Sequence, residues 1–172
     1  MREIQLSESV KESLKQVSVR GRMALATIVL ESVLSHFKIK DEEKEPLINI
    51  FWQFVEERNL GKWGDDRGEV KILMAIEDFT YSEKTLPLGS EFGNMPKFVL
   101  EMINAIDWIG LDDLYGTVLG YSPTTHACTV KVLELALCNG FEIPSLDPFL
   151  KSPITEQDGF GTPVPRTFFR LC

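Results

Sequence analysis

Apolar positions recur along this chain with helical spacing almost from end to end. Near the start, Ser9 followed by Glu12 has the spacing of a capping box, and Val10, Leu14 and Val17 fall on one stripe. The stretch "SVRGR" at 18–22 is expected to break or bend this first helix. From Met23 to Phe37 apolar residues nearly encircle the axis, with Met23, Leu30, Leu34 and Phe37 on one side and Leu25, Ile28 and Val33 filling others. A helix apolar on most of its faces belongs at the centre of a fold. "DEEKEPLINIFWQFVEERNLG" opens with acids that suit a helix N-terminus, continues with Leu47, Ile50, Phe51 and Phe54 at core spacing, and is expected to stop at Asn59–Gly61.

"KWGDDRGE" has the composition of a loop, after which Val70, Leu73 and Met74 open a fourth helix that fades by Tyr81. "KTLPLGSEFGN" is a second loop, and Pro96 suits the first turn of a fifth helix bearing Phe98, Met102, Ile106 and Ile109. "GLDDLYG" is a connector. Ser122–Pro123 then give a helix start and Asn139–Gly140 a stop, so 123–138 is one helix. Five of the nine prolines follow, at 144, 148, 153, 163 and 165, a density that opposes regular helix or sheet. The same segment carries Phe141, Ile143, Leu146, Phe149, Leu150, Phe160, Phe168 and Phe169, too apolar for a free linker. The pattern therefore predicts an all-α fold. It is a single-domain, irregular bundle of about six helices over 1–140, with an extended proline-rich arm, 141–172, packed on it.

At 172 residues, 44 % hydrophobic and 26 % charged, the chain has ordinary globular composition and is long enough to bury roughly 70 % of its unfolded surface. The formal net charge of −8 disfavours nucleic acid and anionic membrane as partners, because both attract clustered Lys and Arg. The first residues carry charges where a secretion signal needs an apolar stretch, and no segment reaches the ~20 apolar residues of a spanning helix. Three cysteines do not suggest a disulfide framework, and the expected location is cytoplasmic.

Helix geometry disposes of the most conspicuous chemical candidate, the 121–140 segment with His126, Cys128 and Cys138. Ten residues put the two cysteines ~15 Å apart along the axis, and two residues turn His126 and Cys128 ~200° apart. Neither pair converges on one metal or forms a nucleophile–base dyad, so the cysteines read as core residues and His126 as a neutral hydrogen-bonding side chain. "GFGTPVPR" has Gly-x-Gly but Val164 where a dinucleotide loop needs a third glycine, and "DDRGE" lacks the ligand spacing of a calcium loop. With two histidines and no catalytic signature, the reading is a chain without cofactor or metal that is not an enzyme. What remains is acids mixed with aromatics in connecting segments: Trp63 beside Asp65, Asp66 and Glu69, and Tyr115 beside Asp112 and Asp113. That mixture suits an interface that anchors by burial and steers by charge.

The order "LYG", "SPTTHACTVKVLELALCNG", "FEIPSLDPFLKSP" and "DGFG", over about residues 111–161, resembles the C-terminal half of certain all-helical bacterial toxin-immunity-type proteins. In that group the closing motif often has Trp where Phe160 stands, and no functional residue carries over. The resemblance implies a cytosolic protein, monomeric or weakly dimeric, that occludes a basic toxin domain such as a nuclease. Basic surfaces are what nucleases use to hold phosphates, and an acidic partner meets them quickly. The competing expectation is a helical enzyme or small-ligand-binding domain with a pocket beneath the C-terminal arm.

Overall fold

The computed structural model describes residues 5–82 and 91–170, excepting the side chains of 78–82 and 91. Eight α-helices run in order through them: α1 (Glu8–Leu14), α2 (Val19–His36), α3 (Asp41–Glu56), α4 (Leu60–Arg67), α5 (Lys71–Ser82), α6 (Lys97–Leu111), α7 (Pro123–Cys138) and α8 (Asp147–Leu150). The all-α expectation holds. Residues 84–90 of the anticipated "KTLPLGSEFGN" loop lie outside the described residues, and Glu91–Asn94 form a 3₁₀ turn.

Three boundaries differ from the pattern's reading, each because a polar side chain found a different backbone partner. The first helix is capped by Ser7, whose Oγ accepts from Val10 N at 3.4 Å, rather than by Ser9. The expected break is present but falls earlier, at 15–18, and "SVRGR" starts the next helix, because Ser18 Oγ accepts from Gly21 N at 3.1 Å and Val19–Arg22 become the first turn of α2. The third correction is larger: α3 ends at Glu56, and Asn59 caps the start of α4 by accepting from Lys62 N. "KWGDDRGE" is thus mostly helix. Its glycines and acids argue for a loop one residue at a time, yet as a helix they bury Trp63 and Arg67 together. Burial of a large aromatic outweighs weak local propensity.

As its all-round apolar pattern requires, α2 is the centre, touching α3, α6, α7 and α8. α6 packs along α7, α4 along α3, and α5 along α6. Trp63 fills the joint between these layers: its ring meets Phe54 edge-on at 5.0 Å, and its Nε1 donates to Ile50 O at 2.7 Å. A methyl group at Gly110 would overlap the indole, so that glycine sets how closely α6 approaches α4.

The arm follows the expected course over the helices, with two qualifications. Pro148 leads a single helical turn, α8, and 3₁₀ turns form at Gln157–Gly159 and Arg166–Phe168. Its order comes from pairing as well as aromatics. Ser18 N donates to Ser152 O and Ile154 N to Gln16 O, both at 2.8 Å, making an isolated antiparallel bridge between Val17 and Pro153. Arg20 N then donates to Phe160 O, and Val164 N to Val55 O. Phe149 stacks on Phe169, and Arg166 and Arg170 lie over Trp52 while pairing with Glu56 and Glu31.

At Gly161 the backbone is left-handed, φ +85°, and a Cβ would overlap Ser18 Oγ. Gly161→Ala should therefore destabilise the fold by about 2 kcal/mol or more, from strain and overlap together. Gly116→Ala, with nothing near its Cβ, should change it by less than about 1 kcal/mol. Urea denaturation of both variants checks the contrast.

Candidate protein-docking surface

The two acid-and-aromatic segments, well separated in sequence, meet in the fold. The connector from Asp112 to Ser122 leaves the end of α6, and α4 lies alongside it. The space a Cβ would take at Gly64 is 3.1 Å from both Leu114 and the Tyr115 hydroxyl, so a small residue on α4 admits the connector's aromatic. Two hydrogen-bonded turns shape the connector: Gly116 N donates to Asp113 O, and Ser122 N to Leu119 O.

Both ends and the middle are braced. At the far end Ser122 is left-handed, φ +51°, and its Oγ donates to Asp113 Oδ2 at 2.6 Å. Its carbonyl accepts from the fully buried guanidinium of Arg22 at 3.1 Å, and Thr125 Oγ1 accepts from the same nitrogen at 2.8 Å. In the middle, Val118 turns inward onto Gly159, leaving no room there for a Cβ. With these points fixed, the alternate side chains point outward. Tyr115 is 85 % exposed and Leu119 74 %, with Trp108 and Tyr121 partly exposed beside them in sequence. Four of the six exposed large hydrophobic residues of the described chain thus fall between 108 and 121, three of them on the connector and Trp108 near the end of α6.

The structure sorts the candidate residues. Tyr115, Asp65 and Asp112 are exposed on the two adjoining elements. Asp113 is spent on Ser122, and Asp66 accepts from Gln53 Nε2 at 2.5 Å, so both carboxylates brace rather than reach outward. Trp63 is a correction: it is fully buried, in the joint described above, and cannot meet a partner. Glu69 is exposed but lines a different groove, of about 460 Å³, with Glu42, Glu43, Val70, Ile72 and Phe92. Leu119 carries no signal of its own in the sequence, although Gly116 and Gly120 on either side of it are turn residues.

Other chemistry is sparse. His126 Nε2–H donates to Lys11 O at 2.8 Å, and burial pushes its ring's pKa down, in keeping with a neutral imidazole. Cys128, packed against the core, and Cys138 are both half-buried and in no disulfide, and burial pushes Cys128 up. Among the described residues no group of three His, Cys, Asp or Glu is placed to hold a metal, and no helix is long and apolar enough to cross a membrane. No match to this chain is found among protein-family models, curated proteins or solved structures.

Partial burial, with Asp113 next to it, raises the Asp112 carboxyl above its ordinary value despite a hydrogen bond from Thr124. A raised folded-state value favours the fold below the unfolded aspartate range, and that advantage is lost as pH rises through the Asp112 titration. Asp112→Asn should therefore raise the melting temperature at neutral pH. The gain should be small, within about 0.5 kcal/mol for so exposed a group, and should vanish below the ordinary aspartate range. Paired melting curves across acidic to neutral pH check it.

Proposed function

We propose that this chain is a protein-binding module that occludes a basic partner domain with the 112–122 connector and the adjoining Asp65 end of α4. One observation supports this reading above the others: Tyr115 and Leu119 are held outward by a loop anchored at the buried residues Val118 and Ser122. A large apolar side chain presented from a rigid loop loses little conformational entropy on docking, which is the economy a binding hot spot requires. Asp65 and Asp112 flank these anchors and supply attraction to a cationic surface, where rim charges act mainly on the rate of encounter.

The class of partner comes from charge and resemblance together. A chain of net charge −8 suits a basic domain, and the 111–161 texture resembles that of immunity-type proteins, so the partner proposed is a toxin domain and the activity its neutralisation. The connector lies within that stretch.

Co-expression with the basic domain encoded by a neighbouring gene tests the activity, growth rescue being the expected result. For the surface, Tyr115→Ala with Leu119→Ala should weaken the complex by about 100-fold or more while leaving the melting temperature within a degree or two, roughly, of the parent. Asp65→Asn with Asp112→Asn should instead slow association and flatten its dependence on salt. Wild-type affinity in the apolar double variant, or an association rate indifferent to ionic strength in the parent, would sink the reading.

A further inference from the structure

Five guanidinium groups of the described residues divide by how they are satisfied. Arg67 pairs with Asp107 at 2.7 Å and reaches Glu77, Arg166 pairs with Glu56, and Arg170 with Glu31. Arg22 has no carboxylate but uses Nε, Nη1 and Nη2 on Leu14 O, Lys15 O, Ser122 O and Thr125 Oγ1. Arg20 is different. It is only 3 % exposed, its Nε donates to Gly161 O and its Nη1 to Phe54 O, and among the described residues no bond from Nη2 is found. It also forms no ion pair there.

That incompletely used cation lines an open cleft of about 530 Å³, within the size range of small-ligand sites. The cleft runs between the start of α4, the connector and the arm. Arg58, exposed and without an ion pair among the described residues, lines it as well. Leu60, Leu114, Phe160 and Pro163 supply apolar wall. The acid whose field reaches Arg20, Glu57, is already engaged by Asn59 N at 3.0 Å and Lys62 at 3.6 Å. Glu156 is likewise engaged, by the Thr162 hydroxyl at 3.0 Å. Burial pulls Arg20 down to about 10, the mark of a charge that has lost water without gaining an anion.

We infer that this cleft binds a small ligand bearing a carboxylate or phosphate on a flat apolar body, the oxyanion meeting Arg20 and Arg58 and the body lying against Phe160, Leu60 and Leu114. A guanidinium fork matches either oxyanion, and a partly buried one gains more from it than an exposed one does. Tyr115 and Leu119 are not part of this cleft, so the inference stands independently of the docking reading.

Titration with benzoate, phenyl phosphate and the neutral isostere benzamide, followed by NMR shifts of Leu60 and Leu114, tests it. The expected result is saturable shifts with at least one of the two anions and none with benzamide. The tighter of the anions identifies which oxyanion the site prefers. Arg58→Ala and Arg58→Gln alter an exposed, unpaired side chain and should keep the parent's melting temperature while weakening binding by about tenfold. No saturable shift with either anion, benzamide binding equal to benzoate, or unchanged affinity in both Arg58 variants would overturn the assignment.

Discussion

Two arginines buried without carboxylate partners fix how this chain closes on itself. An α-helix leaves its last four carbonyls without donors, and a buried helix end must find them elsewhere. Arg22 supplies them to α1, through Leu14 O and Lys15 O, and Arg20 supplies one to α3, through Phe54 O. A cation at a helix C-terminus also meets the negative end of the helix dipole. Both side chains spring from the first turn of α2, so the central helix caps two of its neighbours. Burial pulls both guanidiniums down to about 10, a cost on the order of 3 kcal/mol each that the freed carbonyls and the packing around them must offset.

The same turn of α2 explains why a proline-rich arm is ordered. Residues 152–161 donate to and accept from Gln16, Ser18 and Arg20, and Val164 N completes the end of α3 at Val55 O. The arm thus answers backbone groups that the helices leave open, and its prolines limit the freedom lost in doing so. Gly161 is the point of closest approach, where arm backbone and Ser18 exclude any side chain. By holding Gly159 against Val118, the arm also sets the posture of the connector, so the core's closure and the exposed surface share one mechanical origin.

Periodicity reported what periodicity can. The all-round apolar run of α2, the amphipathic stripes of α3 and α6, and the Pro123–Cys138 boundaries of α7 were all legible, because each depends on local spacing and stop signals. α4 was not. Its helix is justified by Trp63 lying on Gly110 and Arg67 pairing with Asp107, contacts 40 residues or more distant in sequence. The docking surface was legible in composition but not in selection: acids beside aromatics marked both segments, yet only a tertiary view separates buried Trp63 from exposed Tyr115. Leu119 is the converse, an ordinary leucine made conspicuous by Val118 beside it turning inward.

Burial also changes what the net charge means. Arg20, Arg22 and Arg67 are inside the fold, and among the described residues the one carboxylate buried with them is Asp107, already paired with Arg67. Among the described residues more cations than anions are thus withdrawn from the surface, which is more acidic than the formal charge of those residues alone. An incoming basic domain meets that outer field first, while Arg20 is screened from it by the arm and the start of α4. Opposite preferences can therefore coexist within a short stretch of the fold: long-range attraction for cations at the connector's outer face, and a local, desolvated site for an anion beneath it. The two differ in range because the surface charges act through water, and the buried guanidinium acts only where water is excluded.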